Sequence, residues 1–141
     1  MDYKPEGLHS VTTFLAVKNA DAVLEFAKNA FGAKEITLLR DKKGTLMHAQ
    51  FQIGDTTLML GDPMDKPGMT AMLYLYVPDC DAVFKKAVAA GGTPIQEPAD
   101  QFYGDRSGAV KDPTGNIWWI ATFKEKLTME EISKRAEKMS C

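Results

Sequence analysis

Histidine and cysteine are scarce in this chain, two of each in 141 residues. His9 and His48 are too few for a histidine-rich metal site. Cys80 stands beside a predicted helix start and Cys141 is the last residue, and two such thiols make no disulfide framework. A reducing cytoplasm is therefore the expected location. No apolar run approaches the roughly 18 residues of a membrane span, and the opening MDYKPEGLHS does not read as a signal peptide. Lysine and arginine form no cluster that would track a phosphate backbone, and the net charge is −2. Neither nucleic acid nor a membrane is an expected partner. No glycine-rich loop joins a strand to a helix, so nothing points to S-adenosylmethionine binding.

What the chain does have is a repetition. Residues 12–32, TTFLAVKNADAVLEFAKNAFG, return sixty positions later as residues 72–92, MLYLYVPDCDAVFKKAVAAGG. Without gaps, Leu15, Val17, Asp21, Ala22, Val23, Ala27, Ala30 and Gly32 recur as Leu75, Val77, Asp81, Ala82, Val83, Ala87, Ala90 and Gly92. Each copy reads as strand, short turn, amphipathic helix and glycine stop. Two copies are too few for a solenoid, so the expectation is one domain, residues 1–141, built from two matching halves. A half of about 60 residues would be marginal alone, which favours a shared sheet or core.

The first module, residues 8–62, reads as strands at 11–17, 35–40, 46–53 and 56–60, with Asn19 or Asp21 capping the helix that ends at Gly32. GDPMDKPG marks the linker, 61–69. The second module, 70–123, reads as a strand at 71–77, a helix at 81–90, a short strand at 93–96, and a polar loop at 97–104 carrying Phe102 and Tyr103. Strands at 106–111 and 117–123 flank the turn Asp112-Pro113-Thr114-Gly115-Asn116. Thr128 and Glu131 form a capping box for a helix at 128–139, striped by Met129, Ile132, Ala136 and Met139. That helix either covers an edge of the fold or grips a second subunit. The fold class is α+β: tandem βαβββ modules forming a cupped mixed sheet with helices on its outer face, plus a C-terminal helix.

Strand alternation divides the sheet residues into two sets. Leu15, Val17, Leu73, Leu75 and Val77 share one parity and belong beneath the helices. The other parity holds Thr12, Phe14, Met59, Met72, Tyr74, Tyr76 and Trp119, joined by His48, Gln50 and Gln52. Aromatics, methionines and hydroxyls mixed in this way line a ligand cavity, though a second core or a dimer interface would use the same residues. Three hydrogen-bonding side chains in alternation favour the cavity, because a dry face would penalise them.

These pieces together resemble the glyoxalase/bleomycin-resistance (vicinal oxygen chelate) superfamily: two βαβββ halves, FGA ending the first helix, the hairpin IGDTTLML, and Arg106 ahead of DPTGN. VKNADAVLEFAKNAFGAKE, MHAQFQIGDTTLMLGD and DQFYGDRSGAVKDPTGNIWWIAT resemble its PhnB-like branch, often labelled methyltransferase-like by homology. The resemblance spans roughly residues 8–123 and implies a four-stranded cup in each half, and homodimers. Metal-dependent members place His, Glu or Gln at four cavity positions, which fall here on Thr12, Met59, Met72 and Trp119. None of these suits nickel, zinc or iron, so the glyoxalase, fosfomycin-transferase and dioxygenase readings lose their Lewis acid. What remains resembles the metal-free, drug-sequestering members. The primary expectation is therefore a cofactor-free, metal-free dimer that binds a small aromatic or amphipathic molecule. Phe14, Tyr74, Tyr76 and Trp119 would stack on it, Tyr103 would close over it, and Arg106 would clamp an anionic group or pair with Asp105, Asp112 or a partner chain. The alternative is an enzyme with His48 as general acid or base and Gln50, Tyr74 or Arg106 polarising the substrate. A purely structural dimer with a filled cup is the third reading.

Overall fold

The computed structural model describes residues 3–139; Cys141 lies outside them. The first module runs β1 (Phe14–Ala16), α1 (Ala20–Phe31), β2 (Lys34–Arg40), β3 (Leu46–Ile53) and β4 (Thr56–Gly61). The second runs β5 (Met72–Tyr76), α2 (Cys80–Ala89), β6 (Thr93–Asp100), β7 (Asp105–Lys111) and β8 (Ile117–Phe123), followed by α3 (Met129–Met139). The modules form two separate four-stranded sheets with matching orders, β1-β4-β3-β2 and β5-β8-β7-β6. In each, the first strand pairs parallel to the last and the other pairings are antiparallel. The expected α+β plan of two βαβββ units and a C-terminal helix is therefore present. What the halves share is a core, not a sheet.

That core takes one parity from every inner strand. Leu15, Ala49, Phe51, Leu58, Leu60, Trp118 and Ile120 are buried against Val23, Phe26, Ala27 and Ala30 of α1 and Phe84 and Ala87 of α2. The two helices pack on each other. Phe31, at the end of α1, reaches across to Trp118 of β8, with ring centroids 4.9 Å apart. Apolar burial at about 25 cal/mol per Å² makes this continuous cluster the main source of stability.

The repeated helices start and stop by different local means. Asn19 sits at the α1 N-cap in the left-handed region, φ 59°, and its side chain makes no capping bond. Asp21 is not a cap either. It lies inside the first turn, where Arg40 of β2 grips it at 2.7 Å. Gly32 ends α1 at φ 67°, its N–H donating to the Lys28 carbonyl while Ala33 N–H reaches Ala27, a double closure that needs a residue free of Cβ strain. In α2, Asp79 caps by accepting from Ala82 N–H at 3.2 Å. The C-terminal capping box forms as expected, Thr128 Oγ1 accepting from Glu131 N–H at 3.1 Å.

One strand departs from its expected span. Residues 97–104 read as loop, yet β6 continues to Asp100. β6 carries Pro94 and Pro98, but it is a sheet edge, where a missing N–H that faces outward costs no ladder bond. Register shifts beside both prolines absorb the mismatch with β7.

The DPTGN turn is a polar knot within the core. Asp112, 4% exposed, accepts from Thr114 N–H, Asn116 N–H, the Asn116 amide and Trp118 Nε1, all at 3.0 Å. Asn116 Oδ1 in turn accepts from Ala71 N–H at 2.8 Å, just ahead of β5. Asp112→Ala would leave the buried Trp118 Nε1 unpaired, and Asn116 Nδ2 with Thr114 Oγ1 alone. It should lower unfolding free energy by about 3 kcal/mol or more, read from chemical denaturation; a loss below about 0.5 kcal/mol, the scale of an ordinary surface substitution, would contradict the arrangement.

Candidate functional site

The strand pairing fixes which side chains share the faces opposite the helices. On the first sheet, Phe14 stands beside Met59, Met59 beside Gln50, and Gln50 beside Thr37. His48 shares that face one row along, its ring centroid 5.7 Å from that of Phe14. Its side chain makes no other recorded contact of ring or hydrogen-bond type among the described residues. Thr12 lies just ahead of β1, its hydroxyl donating to the His9 carbonyl at 3.3 Å. These residues make a mixed apolar and polar surface without a base–acid pair.

On the second sheet, Tyr74 stands beside Trp119 and Trp119 beside Ala109; Tyr76 stands beside Ala121 and Ala121 beside Ser107. The Tyr74 and Trp119 rings stack at 6.5 Å with a 19° interplanar angle, and Tyr76 tilts against Tyr74 at 5.4 Å. Met72 extends the row and is 70% exposed. Small residues at 109 and 121 are fully buried beneath these rings, which is how a sheet makes room for large neighbours.

Below the rings lies a residue that sequence reasoning passed over. Asp105, 4% exposed, accepts from the Tyr74 hydroxyl at 2.7 Å and the Tyr76 hydroxyl at 2.8 Å, both on Oδ2. Tyr74 has given its only proton to Asp105, so the 2.9 Å contact with Tyr103 has Tyr103 donating. Tyr103 thus does come down onto the open face from its turn. Ser107, two residues along the same face, is fully buried. Counting back by twos from Ala109, opposite Trp119, would have placed Asp105 on this face.

Arg106 has the opposite parity and does not reach the open face. Its guanidinium pairs with Asp81 of α2 at 3.1 Å and Asp100 of β6 at 3.2 Å, on the helix side. Those carboxylates, and not Asp105 or Asp112, hold it and raise its pKa. It is unavailable as an anion clamp on the aromatic face or as a partner for His48.

The structure therefore gathers Phe14, His48, Gln50 and Met59 on one sheet and Met72, Tyr74, Tyr76, Tyr103 and Trp119 on the other. No hydrogen bond, ion pair or ring contact joins the two groups among the described residues. Cavities lie off both open faces: one of about 680 Å³ beside α3, which Asp105 also lines, and one of about 500 Å³ between α2 and β6.

The donor set does not fit the metal known in some proteins of this architecture. Thr12, Met59, Met72 and Trp119 offer one hydroxyl, two thioethers and an indole without a free lone pair. Among the described residues no three His, Cys, Asp or Glu side chains group as ligands.

Paired βαβββ modules with unobstructed sheet faces define a recognisable class. The chain belongs to the glyoxalase/bleomycin resistance protein/dioxygenase superfamily, whose family model matches residues 7–120. An uncharacterized protein of Mycobacterium bovis is 32% identical over 135 residues, covering 87% of this chain and 89% of its own. Among solved structures, TioX from Micromonospora sp. ML1 is similar at TM-score 0.65 and 23% identity, covering 85% of this chain and all of its own (100%). A PhnB protein from Bacillus cereus, described as a putative 3-demethylubiquinone-9 3-methyltransferase, is similar at TM-score 0.62 and 20% identity, covering 81% and 99%. At such identities the structural likenesses establish the fold. No helix among the described residues is long and apolar enough to cross a membrane.

The tyrosine chain has a spectroscopic consequence. Burial first, and then the bond that Tyr74 donates to Asp105, raise the Tyr74 pKa far above the usual 10.0; the bond to Asp105, then burial, raise that of Tyr76. Raised folded-state values mean their stabilisation is complete below about pH 10 and is lost as pH rises through the folded values. Absorbance titration near 295 nm (a wavelength characteristic of tyrosinate) should show two of the four tyrosines lagging, and Asp105→Asn should bring them forward. Four tyrosines ionising together near pH 10 in the folded protein would refute the network.

Proposed function

We propose that this protein is a small-molecule-binding member of its superfamily that works without a metal ion. It holds an aromatic or amphipathic ligand against the open sheet faces, in a homodimer in the cytoplasm. One observation carries the reading: Tyr74, Tyr76 and Trp119 form a contiguous aromatic surface on a face that the chain's own helices leave uncovered. Exposed aromatic surface of this kind is costly to maintain without an occupant, and offset rings present flat area to a planar ligand. The homodimer is supported by the number of large apolar side chains left exposed on both faces, including Phe14, Leu39, Met72 and Tyr76. With an open face on each sheet, a twofold axis would supply two equivalent sites.

Two measurements test this. In a thermal-shift screen of planar aromatic compounds, Trp119→Ala should weaken the best ligand by about 1–3 kcal/mol through lost burial and stacking. Undiminished binding would move the site elsewhere. Chelator, and then nickel, zinc, manganese or iron(II), should leave the melting temperature unchanged. A reversible loss on chelation, restored by one ion, would overturn the metal-free reading through mass action.

A further inference from the structure

A carboxylate that is 4% exposed and makes no ion pair is unusual, because a buried charge is stabilised chiefly by an opposite charge or by several donors. Asp105 has two phenolic donors, both on Oδ2, and no cation within ion-pairing distance among the described residues. Its sequence neighbour Arg106 is turned to the other face and held by Asp81 and Asp100. Lys124 and Lys138 also line the cavity beside α3 but lie beyond ion-pairing distance of Asp105, and Arg135 there is engaged by Glu125. The negative charge therefore sits beneath Tyr74 and Tyr76, on the side that opens outward.

We infer that the second module's open face recognises an organic cation, an ammonium carried on an aromatic or apolar body. The proposal rests on the reading above that this face binds a small molecule, and adds the charge of that molecule. Three aromatic rings, Tyr76 and Trp119 each in contact with Tyr74, attract a cation through their quadrupoles. Donating to a carboxylate makes each phenol oxygen, and with it the ring, more electron-rich, so Asp105 strengthens that attraction without touching the ligand. The partly desolvated setting also keeps the carboxylate's field from being screened as it would be in bulk water. An anionic ligand would meet the same field with the opposite sign.

The test is a set of three soluble probes sharing a phenyl ring: 2-phenylethylammonium, 2-phenylethanol and 3-phenylpropanoate. Affinities of the full chain are measured by titration calorimetry or by chemical-shift titration. The ammonium should bind about ten-fold tighter than the alcohol, a gap typical of a partly desolvated cation on aromatic faces, and the carboxylate weakest. Asp105→Asn should narrow the gap between the ammonium and the alcohol. Tyr76→Leu removes a ring that is 60% exposed, so it tests the cage even where Asp105→Asn does not fold; it should also lower the ammonium preference. Equal affinity of ammonium and alcohol in the unaltered protein, or a preference that survives both substitutions, would overturn the inference and leave the aromatic site standing. Binding of none of the three would overturn both.

Discussion

Each sheet has two faces, and the shared core claims only one of them. Leu15, Phe51, Leu60, Trp118 and Ile120 are committed to the helix side. Because side chains alternate strictly along a strand, that commitment fixes where every neighbour points. Phe14, Met59, Tyr74 and Trp119 are outward because Leu15, Leu60, Leu75 and Trp118 are inward. The open faces are a by-product of core formation.

Two aspartates at opposite ends of β7, Asp105 at its start and Asp112 in the turn just after it, show how context assigns a role. Asp112 is buried in a tight turn that supplies it with backbone and side-chain donors on both oxygens, and it pins β5, β8 and the turn together. Asp105 is as deeply buried but bonded through one oxygen only, to side chains that are themselves half exposed. The first carboxylate is closed off by the fold, whereas the second faces outward through a layer of phenols.

Much of this was legible in the sequence. The gapless repeat gave both modules, alternation gave the inward and outward sets, and the Thr128/Glu131 pair gave the start of α3. Three features escaped for physical reasons. Pro94 and Pro98 break a strand only where their N–H groups are needed, and an edge strand does not need them. Asn19 has a capping residue's identity but adopts a left-handed backbone, so its side chain is aimed away. Arg106 and Asp105 are adjacent in sequence and opposite in space. Their roles were decided by parity, and a pairing read by proximity along the chain misses that.

The same prolines bear on how copies of this chain can meet. A sheet's outermost strand is ordinarily a template onto which another chain can add by main-chain bonding. β6 carries two residues without N–H and two register irregularities, and β2, the matching outer strand of the first sheet, has irregularities of its own. Neither offers the straight, evenly spaced row of donors and acceptors that strand addition requires. These two edges are thereby poor templates for strand addition, which leaves β1 and β5, at the opposite edges of the sheets, and the flat of the sheets as the places where copies could meet.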